Sequence, residues 1–130
     1  MASFIPYNPN PCGKFSSGDC VVRALCKVLV KSWEEMYVIL SIEGFMECDV
    51  FTANNVWGNY LISQGFEEHS LMRGCKSCYT LLDFCRDHSS GVFVVGTDSH
   101  AVAVIDGNYY DSFNSGNMNP TYYFEKKEGV

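Results

Sequence analysis

The chain has 130 residues, enough for one domain that buries roughly two thirds of the surface of its unfolded form. Its net charge of −6 and pI near 4.9 argue against binding to nucleic acid, because such proteins concentrate Lys and Arg to displace counterions. No segment approaches the roughly 18 apolar residues of a membrane span, and the start lacks the pattern of a secretion signal. We therefore expect a single cytoplasmic domain over residues 1–130, with no nucleic-acid or membrane partner.

The seven cysteines are irregularly spaced and odd in number, which is not typical of a disulfide framework. A buried free cysteine behaves as a small apolar side chain. The sequence therefore predicts mostly free thiols, whose ordinary role is packing.

The first part of the chain changes character at Cys20. Residues 1–18 hold three of the four prolines and several Asn and Gly residues, which predicts an extended arm. From Cys20 onward apolar residues recur at helical spacing, while Arg23, Lys27 and Lys31 repeat along the other side. The pattern predicts a helix that begins near Cys20 and carries these cations on its polar side.

Three further helices are predicted. Two begin with a capping box, in which a hydroxyl and a carboxylate three residues apart satisfy free amides at the helix start. The predicted helices run from Ser32, with Glu35, to about Gly44; from Thr52 or Asn54 to just before Gly65; and from Thr80, with Asp83, through Cys85.

After Gly91 the sequence turns to β-branched and aromatic residues separated by turn signals. The predicted strands cover 92–95, 100–105 and 109–111, with a turn at 106–108, and 122–124 adds an edge strand. Helices followed by an antiparallel meander predict an α+β fold, with N-terminal helices packed on a small C-terminal antiparallel sheet.

Cys20 is the candidate nucleophile. The first turn of a helix offers unpaired amides and a positive dipole end, which lower the pKa of a thiol. Gly18 lets the backbone turn before the helix, and Asp19 is placed to cap it. The Asp19 carboxylate opposes a thiolate unless its charge is neutralised, so we expect a cation nearby.

His100 is the candidate base, because it is the one histidine of the three that opens a predicted strand. An imidazole needs a third group to fix its tautomer, and the returning strand offers Asp111, with Asn114 three residues beyond. We favour Asp111. A tight hairpin centred on Gly107 and Asn108 would instead pair Val104 with Asp111 and leave His100 nearer the level of Asn114 or Ser115, so Asn114 stays the alternative.

The order of Cys20, His100 and Asp111 along these elements resembles the papain-like cysteine peptidase superfamily. Two runs, 18–25 and 100–111, look like its compact bacterial and phage-encoded members, which are related to the peptidases that process bacteriocin leaders. The resemblance implies a papain-like fold and a cysteine peptidase or isopeptidase, without a cofactor, that acts on a peptide or protein. The superfamily commonly places a Gln before the nucleophile as oxyanion donor, and here Lys14 stands in about that position.

Two other readings remain open. Cys75 and Cys78 have the spacing of a zinc or redox pair, but further zinc ligands would have to converge from unrelated segments, so we expect packing or loop thiols and no metal site. The alternative function is a binding module on the same fold that sequesters a partner without catalysis.

Overall fold

In the computed structural model, residues 2–15, 18–71 and 78–127 are described. They form four helices and six strands, which confirms the predicted α+β class. The elements are β1 (Ser3–Pro6), α1 (Cys20–Leu29), α2 (Trp33–Met46), α3 (Asn54–Ser63), β2 (Phe66–Ser70), α4 (Leu81–Asp87), β3 (Val92–Gly96), β4 (Ala101–Ile105), β5 (Asn108–Asp111) and β6 (Tyr122–Lys126). No helix among the described residues is long and apolar enough to cross a membrane.

The six strands form one sheet in the order β1-β5-β4-β3-β6-β2. The predicted small antiparallel sheet is wrong in two respects. Part of the expected arm is a strand, since β1 pairs in parallel with β5 and makes the sheet mixed. The expected edge strand β6 lies inside the sheet, between β3 and the edge strand β2. β2 escaped prediction because it exposes most of its side chains, which are polar apart from Phe66.

The helix starts follow the local sequence signals closely. α1 begins at Cys20, and both capping boxes are formed, at Ser32 for α2 and at Thr80 for α4. The third helix differs, because its cap residue is Ala53, and neither Thr52 nor Asn54 caps it. A capping box joins residues within one helical turn, so the sequence alone reveals where such a helix begins. A helix without a side-chain cap carries no such local signal.

The sheet is covered on both faces. Helices α1, α2 and α3 pack on one face through a core that includes Leu25, Trp57 and Phe124. Helix α4 packs on the other face through a second core around Phe84 and Tyr109. Helix α1 lies against β3, β4 and β5, so its first residue meets the central strands of the sheet.

The hairpin between β4 and β5 decides where Asp111 stands. Asp106 and Gly107 both have positive φ, 50° and 79°, which makes a tight two-residue turn. Val104 therefore pairs with Tyr109, and not with Asp111 as the sequence suggested. Asp111 comes one residue after Tyr110, the last residue of β5 that pairs with β4, and its carboxylate reaches the ring of His100, which precedes β4.

Candidate active site

Cys20 is the first residue of α1 and is partly buried. Asp19 occupies the cap position, but its side chain makes no capping hydrogen bond, contrary to the expected role. The first amides of the helix are therefore left for another acceptor, and the positive end of the helix dipole lies at the Cys20 sulfur. The helix start thus favours a negative charge on this thiol.

His100 lies just before β4 and joins Cys20 to Asp111. Its Nε2–H donates to Asp111 Oδ2 over 2.6 Å, and its ring also shares a hydrogen bond with the Cys20 thiol. Because Nε2 is held by the carboxylate, Nδ1 is the nitrogen left to face the sulfur. The side chains of His100 and Asp111 are only 8% and 2% exposed, so little water competes for these bonds.

The Asp111 carboxylate is fixed by its own donors. Ser115 Oγ donates to Oδ2 over 2.6 Å, and the Ser112 amide donates to Oδ1 over 2.7 Å. Asn114, the alternative partner of His100, is engaged elsewhere, because its Oδ1 accepts from the Tyr109 hydroxyl and the Gly116 amide. His100 is therefore oriented by Asp111.

The pKa values of Cys20 and His100 move in opposite directions. Burial raises the pKa of Cys20, but hydrogen bonds from His100 and the Ala101 amide, with the charges of His100 and Arg23, bring it below its ordinary value. Burial lowers the pKa of His100, but its bonds to Asp111 and Cys20 and their charges raise it to about 9. Both shifts favour the charged pair, a thiolate beside an imidazolium.

Two other thiols show what burial does without such partners. Cys26 and Cys85 are buried in the two cores, and burial is the largest effect that raises the pKa of each to about 12. These thiols stay protonated and serve packing, as the sequence predicted. Cys20 differs from them because its hydrogen bonds and the neighbouring positive charges lower the thiol pKa by more than burial raises it.

Arg23 is a site residue that sequence reasoning missed. It was assigned to the polar side of α1, but it is only 5% exposed. Its guanidinium pairs with Asp19, and Nη2 lies 3.8 Å from Asp111 Oδ1. Asp19 also accepts from Trp33 Nε1 over 2.9 Å. The one available signal was the spacing of four between Asp19 and Arg23, which places opposite charges together at the helix start.

Cys20 and His100 open onto a pocket of about 290 Å³. The pocket is lined by residues from the helix start, the segment that leads into α3, the turn before β4, and β6. They are Gly18, Cys20, Val21, Thr52, Asn54, Trp57, Thr97, Asp98, Ser99, His100, Ala101 and Tyr122. A substrate carbonyl can reach the sulfur from this space.

Lys14 does not line the Cys20 pocket. Its side chain is exposed and lies in a second pocket with Trp33 and Tyr37, on the other side of Gly18. Its position therefore gives no support to the expected oxyanion role.

The possible metal ligands lie away from Cys20. Cys75 is outside the described residues, and Cys78 is disulfide-bonded, not the free thiol we expected. The ligand atoms of Glu67, His69 and Glu125 lie within 4.8 Å of one another on β2 and β6. These three side chains are partly exposed, and they lie on the sheet face opposite α1, with His69 stacked on Tyr123.

Comparison with known proteins assigns no relative. No protein-family model matches this chain. No curated protein and no solved structure matches it either. The side chains around Cys20 therefore carry the functional proposal.

Proposed function

We propose that this protein is a thiol-dependent hydrolase of the papain-like type, a cysteine peptidase or isopeptidase that works in the cytoplasm. The observation that supports the proposal best is the hydrogen-bonded series of Cys20, His100 and Asp111 at the edge of a pocket. A nucleophile, a base and a group that orients the base are the components of covalent acyl transfer.

The reaction begins with attack of the Cys20 thiolate on the carbonyl carbon of a peptide or protein amide. The electron pair of the C=O bond moves to oxygen, and collapse of this intermediate expels the amine, which takes its proton from the His100 imidazolium. Neutral His100 then accepts a proton from water as the water attacks the thioester, and Cys20 is released. Asp111 holds the ring in one tautomer throughout and stabilises its cationic form. Transfer of the acyl group to an amine would use the same side chains.

The thiol and the imidazole supply this chemistry without a cofactor. The backbone amide of Cys20, at the free start of α1, is the natural backbone donor to the oxyanion. Lys14 is left out of the proposed mechanism because it lies in the neighbouring pocket.

The test is acylation and alkylation of the individual thiols, followed by mass spectrometry of peptides. p-Nitrophenyl acetate should acetylate Cys20 first, and iodoacetamide should alkylate it with an apparent pKa below the roughly 8.5 of a free thiol. Cys12 and Cys48 are exposed free thiols and serve as internal standards in the same sample. His100→Ala should remove the advantage of Cys20, whereas the matched variant His69→Ala, on the opposite sheet face, should keep it. Reaction of Cys20 no faster than Cys12 would refute the hydrolase.

A second candidate is the non-catalytic binding module, which the surface of α2 favours. Four apolar side chains on this helix are more than half exposed, and their spacing of three and four residues puts them on one face. They are Val38, Ile42, Phe45 and Met46. A binding module predicts an unreactive Cys20 and a protein partner lost on Phe45→Asp but kept on Cys20→Ser.

A further inference from the structure

The Tyr122 side chain reaches the Cys20 pocket by crossing β3 at Gly96, a residue that has no side chain. On the sheet Tyr122 pairs with Gly96 of β3, which in turn pairs with Ala101 of β4. A Cβ atom built on Gly96 would overlap the Tyr122 ring, so the ring lies directly over the Gly96 backbone. The small residues Gly96 and Ala101 thus leave room for the Tyr122 ring to line the pocket beside Cys20.

Asn54, the first residue of α3, lines the same pocket as Tyr122. Its side chain acts on the Tyr122 hydroxyl and lowers the phenol pKa. A phenolic hydroxyl is both a donor and an acceptor, so it can donate to an acceptor inside the pocket.

The phenol also keeps its proton while Cys20 is ionised. Burial first, and then the charges of Cys20 and Glu68, raise the pKa of Tyr122 to about 12. A negative sulfur nearby disfavours a second negative charge on the phenol. Tyr122 thus remains a donor over the pH range in which the thiolate exists.

A second donor belongs to the same wall. Trp57 packs against Tyr122, with 6.1 Å between the ring centroids, and lines the pocket. Its Nε1–H is buried and has no hydrogen-bond partner among the described residues. An unpaired buried donor is costly, and a ligand oxygen that reached this nitrogen would relieve that cost.

We propose that Tyr122 is a catalytic residue whose hydroxyl donates a hydrogen bond to the oxyanion that forms when Cys20 attacks a carbonyl group. This inference rests on the proposed hydrolase function. Tyr122 takes the role of oxyanion donor that the sequence suggested for Lys14. It does so from β6, more than a hundred residues after the N-terminal arm that holds Lys14. The phenol donates a hydrogen bond and keeps its proton, so the charge balance of the acyl transfer is unchanged.

The probe is a small peptide aldehyde, N-acetylglycinal, which takes the place of the carbonyl substrate. The thiolate sulfur adds to the aldehyde carbon and the C=O electron pair moves to oxygen, so the adduct carries its oxygen where the oxyanion forms. Affinity is measured as protection of Cys20 from iodoacetamide. Tyr122→Phe should weaken the aldehyde about tenfold to a hundredfold, since one oxyanion donor is worth that much or more. Alkylation displaces iodide and forms no oxyanion, so the variant should still show selective alkylation of Cys20.

Tyr123→Phe is the matched control, because Tyr123 is the next residue of β6 and packs on the opposite face. It should bind the aldehyde like the unmodified protein. Gly96→Ala is the second variant, since the added methyl group overlaps the Tyr122 ring; it should weaken the aldehyde while the phenol is retained.

The outcomes separate the two proposals. Selective alkylation of Cys20 together with full aldehyde affinity in Tyr122→Phe, or in Gly96→Ala if the first variant does not fold, overturns the role of Tyr122 and leaves the hydrolase intact. Unselective alkylation in the unmodified protein overturns the hydrolase itself, and the role of Tyr122 with it.

Discussion

Arg23 Nη2 lies 3.8 Å from Asp111 Oδ1, so the helix that carries Cys20 is tied by charge to the strand that orients His100. The same guanidinium pairs with Asp19 at the start of the helix. One buried cation thereby pairs with two buried carboxylates, Asp19 and Asp111. It also supplies the neutralising charge that a thiolate next to Asp19 requires.

Loss of Arg23 should therefore destabilise the fold and the site together. Arg23→Met removes the cation paired with buried Asp19 and one of the charges beside Asp111, and should lower the free energy of unfolding by about 3–5 kcal/mol, measured by urea denaturation. Lys126→Met, which removes an exposed cation from β6, should change it by less than about 0.5 kcal/mol. An Arg23→Met protein as stable as the control would mean that the buried ion pairs contribute little.

Asp111 and Asn114 can be told apart by the rate of Cys20 alkylation at pH 7. Asp111→Asn removes the charge that raises the pKa of His100, so the imidazolium and its thiolate partner should be depleted and the rate should fall at least tenfold. Asn114→Ala should keep the rate within about twofold, because Asn114 bonds Tyr109 and Gly116. The reverse pattern would assign the orienting role to Asn114.

Stability should depend on pH through His100. Its pKa is about 9 in the folded protein against an ordinary value of 6.5, so folding favours the protonated ring. This contribution is complete below about pH 6.5 and is lost as the pH rises through 9. In the Cys20→Ser protein, which lacks the oppositely shifted thiol coupled to this ring, the stability lost on His100→Gln should therefore shrink between pH 6 and pH 10, as thermal denaturation at each pH would show. A difference that stays constant would contradict the raised pKa.

Local signals were sufficient for much of the fold. The start of α1 at Cys20 and the capping boxes at Ser32 and Thr80 were predicted correctly, because each depends on residues within one helical turn. The strands of the C-terminal half were predicted because their apolar and β-branched runs are bounded by turn residues. The strands β1 and β2 were not, since an edge strand of four or five residues carries little periodic signal.

The sequence by itself determined which residues are candidates for the chemistry: a cysteine at a helix start, a histidine at the start of a predicted strand, and a carboxylate on the next strand. Tertiary structure decided their partners. The turn at Asp106 and Gly107 set the register that puts Asp111, and not Asn114, on His100. Packing of α1 against the sheet buried Arg23, and the bare backbone of Gly96 let Tyr122 into the pocket. These contacts join residues far apart in the chain, whose proximity depends on the register and packing of the whole fold.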